Sequence, residues 1–369
     1  MIKTNQIITS SRLNNFAKTL RFETPDRLIF DLFGCPLSGM AEEALIKLKE
    51  FLGIQKTEDV LKHYDIDTRG VGYIFSPKDS LYKVTAKDEY IDEWGVTRKF
   101  INDYWEITGN PLKGATLEEL KAFRFPNPDS IPDKEFEDLR VTAKELYEKT
   151  DYIICASHPT YGILELGCWM CGFDDFLYRM AGEPEFVQYF FERVLDYQKK
   201  VSERYYKALG AYIHYTSSGD DFATQTSTFV SPAMFDELIA PYFKERIDFT
   251  KKLTKAKFLH HSCGNVESLI PSLIKCGVDI LNPVQPVGDK MKPAYFKKTY
   301  GGKIVFHGGY DTQFALPNNT PAQIDSEIKA FAAEIKRGGG FIMAAAHNIQ
   351  RDVSPENVDA FLSSAKKYK

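Results

Sequence analysis

Short apolar runs recur along the chain, each ending in polar or glycine-rich residues. RLIFDLFG (27–34), YIICASHP (152–159), YIHYTSSGDD (212–221), KFLHHSCG (257–264), VDILNPVQ (278–285), KIVFHGGYD (303–311) and GFIMAAAHN (340–348) have strand length and β-branched or aromatic content. Between them the apolar spacing changes to the helical period. In VESLIPSLIKCG, Val266, Leu269, Ile270, Leu273 and Ile274 share one face, and Gly277 follows as a helix stop. Ser231-Pro232 and Thr320-Pro321 pair an N-cap hydroxyl with a proline at the first helical position. The strands are continuously apolar rather than alternating. An α/β fold is therefore expected, with a parallel sheet covered by helices on both faces.

Residues 73–150 break this rhythm. They are charged and turn-rich, and predict an irregular, partly helical excursion that covers one end of the sheet within a single domain spanning 1–369. A hydrophobic content of 43% supports a sizeable core, and the net charge of −4 is spread along the chain, which points away from nucleic acid. The N-terminus lacks the apolar segment of a signal peptide, and no window reaches the ~20 apolar residues a membrane span needs. A soluble cytoplasmic protein is expected. The six cysteines are irregularly spaced, as in a reducing compartment, which leaves thiols available as ligands. Cys168 and Cys171 form a C-x-x-C inside a helical stretch without a second such pair, and read as packing residues.

The polar residues are not scattered. Asp31, His158, Asp220, Asp221, His261, Cys263, Asn282, Gln285, His307, Asp311 and His347 all fall at or just past the C-terminal ends of the expected strands, where parallel barrels place their sites. With His260 beside them, five of the seven histidines do so. One such histidine alone is commonly just a hydrogen-bonded core residue, but together these residues make a site. Along an extended strand His261 and Cys263 project to the same side, and an imidazole and a thiolate are natural zinc ligands. His347 is the expected third ligand, with His307, Asp220 and Asp311 as alternates. Asp220 and Asp311 are candidate catalytic proton acceptors, although either could equally serve loop amides. Asp31, His158, Asp221, Asn282, Gln285, His307 and Asn348 are expected to bind substrate; Asn348, with Gln350, could also hold the His347 tautomer. Tyr64, Asp65 and Asp67 would line the pocket from another loop.

LHHSCGNVESLIPSLIKCGVDILNPVQP, KIVFHGGYDTQFALPNNTPAQI, GGGFIMAAAHNIQRDVSPENVDAF and GDDFATQTSTFVSPAMFDELIAPYFKERI together resemble the uroporphyrinogen decarboxylase superfamily, and most closely its zinc-dependent corrinoid (cobalamin) methyltransferase branch. The resemblance implies a (β/α)8 TIM barrel and Zn2+ held by His261 and Cys263. It further implies a methyl group moving between a small methylated substrate and a corrinoid carried on a partner protein; both directions are conceivable, and with nothing that commits the chain to a thiol acceptor, demethylation of the substrate is the expected one. The third family ligand is a cysteine, and His347 stands in its place here. Two alternatives remain. A metal-independent decarboxylase would need several arginines for tetrapyrrole carboxylates, whereas this chain offers only Arg27 and Arg69 near the first strands. A non-catalytic subunit that only docks the corrinoid protein would hold no metal.

Overall fold

The computed structural model describes residues 11–101 and 104–369. Residues 1–10 and 102–103, counted in the single domain expected over 1–369, lie outside the described residues. Seven strands form one wholly parallel sheet: β1 (Thr68–Val71), β6 (Ile153–Ala156), β7 (Tyr215–Gly219), β8 (Lys257–His261), β9 (Ile280–Asn282), β10 (Val305–Tyr310) and β11 (Phe341–Ala345), neighbouring one another in chain order. Every connection is a crossover that includes helix, as parallel neighbours require. Between β6 and β7 lies the long helix Pro184–Leu209; Ala240–Leu253 precedes β8, Pro321–Lys336 precedes β11, and Pro355–Tyr368 follows it.

Both edges of this sheet meet residues 29–31. The Asp31 N–H donates to Met343 O at 2.9 Å and the Met343 N–H to Ile29 O at 2.9 Å, while the Asp67 N–H, just before β1, donates to Phe30 O at 3.0 Å. The run 27–34 therefore contributes only a bridge, Phe30 to Met343, rather than the full strand its composition predicts. Asp31 explains why: its carboxylate turns back onto the Gly34 and Cys35 N–H groups and ends the extended stretch. The curled sheet encloses an inner layer of Phe16, Ile29, Ile153, Cys155, Tyr215, Leu259, Ile280, Val305 and Ile342, and the larger apolar layer lies between sheet and helices.

The helix signals in the sequence hold in detail. Thr320 closes a capping box with Gln323, and Ser231 accepts the Met234 N–H. Gly277 adopts φ +98° and donates to Ile274 O and Leu273 O, ending the helix Ile270–Cys276. Residues 267–269, expected as its first turn, form a 3-10 turn because Pro271 cannot supply the N–H that an earlier α-turn would use.

The excursion is more ordered than its composition predicts. β2 (Lys83–Ala86), β3 (Glu89–Ile91), β4 (Thr97–Ile101) and β5 (Tyr104–Gly109) make a four-stranded antiparallel meander. Its strands are short and largely exposed, so no continuous apolar run announces them. The excursion packs against the segment that follows β6. The Phe75 N–H reaches Pro159 O, Leu112 reaches Met170 O, and the Arg98 guanidinium lies 4.8 Å from the Trp169 ring. Among the described residues no helix is long and apolar enough to cross a membrane.

Candidate metal centre and adjoining cavity

Register builds the site. Gly219 of β7 faces His261 at the end of β8, and His261 faces Asn282 at the end of β9. The β9 to β10 pairing then brings His307 beside Asn282. A chain of hydrogen bonds follows. Asp31 is fully buried and accepts from His307 Nε2 at 2.8 Å. With its proton on Nε2, His307 accepts at Nδ1 from the Asn282 amide nitrogen at 2.7 Å. This turns Asn282 Oδ1 toward His261, whose Nδ1 donates at 2.5 Å. The lone pair of His261 Nε2 is thereby left free, as a metal-ligating histidine requires. Gly308 makes the chain sterically feasible: at φ +93°, a Cβ there would press on Ala345 O at 3.0 Å and approach the Asn282 amide at 3.5 Å.

Asp221, just past β7, comes to the free side of this imidazole. Its Oδ1 lies 3.7 Å from His261 Nε2 and accepts the Cys263 N–H at 2.8 Å, and the Cys263 thiol donates to Oδ2 at 3.1 Å. The ligand atoms of Asp221, His261 and Cys263 all lie within 4.8 Å of one another. One nitrogen, one sulfur and one oxygen donor fit a divalent zinc-type ion. Burial lowers the His261 pKa and keeps the ring neutral; burial, then Asp221, pushes the Cys263 thiol up. Ligands bind deprotonated, so a metal held here would displace the thiol proton and its affinity would rise with pH. Gly264 fixes the turn after Cys263: at φ +82°, a Cβ would meet Thr224 O at 2.4 Å.

A cavity of about 630 Å3 opens beside Cys263. Gln285, Asp311, His347 and Asn348 line it, joined by Thr224, Gln225, Thr312, Gln313, Gln350 and Asp352. The His347 ring stands 5.5 Å from that of His261, and burial lowers its pKa to about 4. It borders the three-donor group without being one of its members. Gln285 accepts the Gly264 N–H at 2.7 Å, Asn348 accepts the Gly39 N–H at 2.8 Å, and Asp311 Oδ1 accepts from Gln313 N and Phe314 N at 2.8 and 3.2 Å.

Asp220 turns away from its neighbour. It is buried and accepts the Leu164 and Glu165 N–H groups at 3.1 and 2.8 Å, anchoring the start of the helix Ile163–Cys171. Burial, against these two bonds, raises its pKa to about 7. Asp31, Asn282 and His307 stand behind His261 instead of lining the cavity. The His158 N–H donates to Ser217 Oγ at 3.1 Å, and burial lowers the ring to about 3. Tyr64, Asp65 and Asp67 lie at the opposite end, before β1. There the Tyr64 hydroxyl donates to Asp359 at 2.7 Å, and the two acids pair with Arg12, Arg27 and Lys369. Cys168 and Cys171 are buried free thiols, as packing predicts.

One neighbour of the site carries no signal in the sequence. Glu165 sits on the helix after β6, and burial, then the charges of Asp221 and Asp220, raise its pKa well above the ordinary carboxylate range. Thr224, Gln225 and Gln313 are equally unannounced, being ordinary loop residues until the loops converge.

The outer chain has a measurable consequence. Asn282→Leu removes both the acceptor that holds the His261 Nδ1–H and the donor to His307, while keeping similar volume. Zinc affinity, read by competition with a chelating dye, should fall about 10–100-fold. An unchanged affinity in a folded variant would show that His261 does not ligate through Nε2.

Among protein families, the model described as uroporphyrinogen decarboxylase (URO-D) matches residues 110–368. The methylcobamide:CoM methyltransferase MtaA of Methanosarcina barkeri is 24% identical over 179 residues, 48% of this chain and 49% of that protein. The alignment thus spans about half the length of that relative. A solved structure, a methyltransferase from Methanosarcina mazei, is similar in fold, with a TM-score of 0.61 at 16% identity over 96% of this chain and 98% of that one.

Proposed function

The chain belongs to the uroporphyrinogen decarboxylase family, and from that premise we propose that it is a cytoplasmic, zinc-dependent methyltransferase. It moves a methyl group from a small methylated substrate to the corrinoid of a partner protein. In this reading residues 29–31 complete a (β/α)8 barrel formed by one domain, with 73–150 as its cover. The observation that carries the proposal is the convergence of Asp221, His261 and Cys263, three donors within 4.8 Å, at the wall of a cavity open to substrate.

Each residue has a definite task. His261 offers Nε2, and Asn282, His307 and Asp31 hold it in that tautomer. Asp221 lies where the third donor is needed and accepts a hydrogen bond from the Cys263 thiol. Zinc bound there would act as a Lewis acid, polarising a leaving heteroatom or lowering the pKa of a bound thiol or water. His347 borders the open side and, with Asp311, Gln285 and Asn348, positions the substrate. Asp220 holds the helix Ile163–Cys171 in place. Decarboxylation of a tetrapyrrole is disfavoured, because Arg27 pairs with Asp65 and Asp67, and Arg69 pairs with Glu58 at 2.9 and 3.0 Å and lies 3.6 Å over the Tyr152 ring.

The test joins metal analysis to turnover. The purified chain should hold one zinc, and with reduced cobalamin and a panel of small methylated compounds it should form methylcobalamin, followed by absorbance. His347→Ala should keep the zinc and lose turnover; loss of the zinc would make His347 a ligand. An active chain whose rate survives chelation would defeat the metal-dependent reading.

A further inference from the structure

The cavity beside Cys263 also carries information about the charge of its occupant. At about 630 Å3 it falls inside the ~300–1,000 Å3 common for small-molecule sites. Its charged lining consists of two carboxylates, Asp311 and Asp352; among the described residues that line it, none is lysine or arginine. Neither acid is paired with a cation among the described residues. Asp311 uses one oxygen for the turn that follows β10, and Asp352 is exposed. Most of the other lining residues carry an amide or a hydroxyl group, able to orient a polar ligand of either sign. The metal end would add little attraction for an anion, since a dipositive ion held by a Cys263 thiolate and the Asp221 carboxylate would be neutralised by them.

Building on the metal-assisted methyl transfer described above, we propose that the small molecule held in this cavity is bifunctional. It presents the heteroatom that carries the methyl group to the metal end, and an ammonium group to Asp311 and Asp352. An anionic tail would instead lie among carboxylates with no compensating cation, and like charges a few ångströms apart in a partly enclosed site are mutually costly. The carboxylates act on the tail of the ligand and the metal residues on its head, so the two ends can be tested separately.

Three thiols of one length separate them: 2-aminoethanethiol, 2-mercaptoethanol and 2-mercaptoethanesulfonate share a metal-seeking head and differ in the charge of the tail. Titrated by calorimetry into zinc-loaded protein at low ionic strength, they should bind in that order of decreasing affinity. Each step should be about tenfold and should narrow as salt is added. The double variant Asp311→Asn, Asp352→Asn should bind the amine about tenfold more weakly and lose most of the discrimination, with an unchanged melting temperature, since neither side chain is buried. Tighter binding of the neutral or sulfonated thiol, or an amine preference that survives the double substitution, overturns the proposal. Chelator-treated protein distinguishes the two levels. If the chain never holds zinc but keeps the amine preference, the metal reading fails and the ammonium site stands; zinc with the order reversed does the opposite.

Discussion

Replacing His261 or Cys263 with alanine is expected to abolish stoichiometric zinc binding and to lower the rate of methylcobalamin formation. The loss should exceed the roughly 10–100-fold that removal of an outer partner such as Asn282 costs. The two substitutions remove different donors from the same ion, so their effects should not add. Either alone leaves two protein donors, one short of the three that catalytic zinc ordinarily uses. Cys168→Ala and Cys171→Ala are the controls. Both thiols are buried in the helix Ile163–Cys171, and these variants should retain one zinc and near-normal turnover while losing some stability. Zinc retained in Cys263→Ala, or lost in Cys171→Ala, would relocate the metal site altogether.

Asp31→Ala should be the most destabilising single change near the site. The Asp31 carboxylate is 1% exposed and accepts from Gly34 N at 2.9 Å, Cys35 N at 3.2 Å, Ser38 Oγ at 2.6 Å, His307 Nε2 at 2.8 Å and the Thr68 hydroxyl. Truncation leaves five donors facing a void. A cost of about 3–5 kcal/mol is expected from losing the partner in a buried, charge-assisted network. Burial by itself raises the Asp31 pKa, but the hydrogen bonds from His307, Ser38 and Thr68 outweigh it and leave the pKa below its ordinary value. The folded-state pKa therefore lies under the unfolded value of about 3.9. The stability this group contributes is fully present above that value and is lost as pH falls through the folded pKa. Denaturant unfolding at several pH values checks both points. The variant should unfold at lower denaturant near neutrality, and its gap from the parent chain should shrink in acid. An unchanged midpoint at neutral pH would mean that the network contributes nothing net.

How far the site can be read from the chain depends on the distance over which each signal acts. The His261 and Cys263 pair was legible because side chains two apart on a strand share a side, a rule that needs only local backbone. Gly277 and Thr320 were legible for the same reason, since a helix end is satisfied by its own nearest residues. Asp221 was harder. Period-two alternation says that only one of the two aspartates can face the mouth, but the chain leaves its strand at Gly219 and the turn decides which. Asp220 went to a helix start 55 and 56 residues away in sequence, and Asp221 to the metal side. Tyr64, Asp65 and Asp67 look like pocket residues in sequence but precede their strand instead of following it. The strand itself, TRGV, is too short and too polar to stand out, so its direction could not be used. The meander of 83–109 escaped notice because its strands are mostly exposed and carry no continuous apolar run.

The sequence by itself determined the parallel α/β class, the family, and a histidine and cysteine offered on one side of a strand end, because hydrophobic period and motif spacing are properties of adjacent residues. Only the tertiary structure decided that Asn282 bridges two histidines, that Asp221 rather than Asp220 joins the cysteine, and that the cavity wall is acidic. Those outcomes depend on strand register and loop convergence, which bring together residues up to 276 positions apart, and no local pattern records which of them will meet.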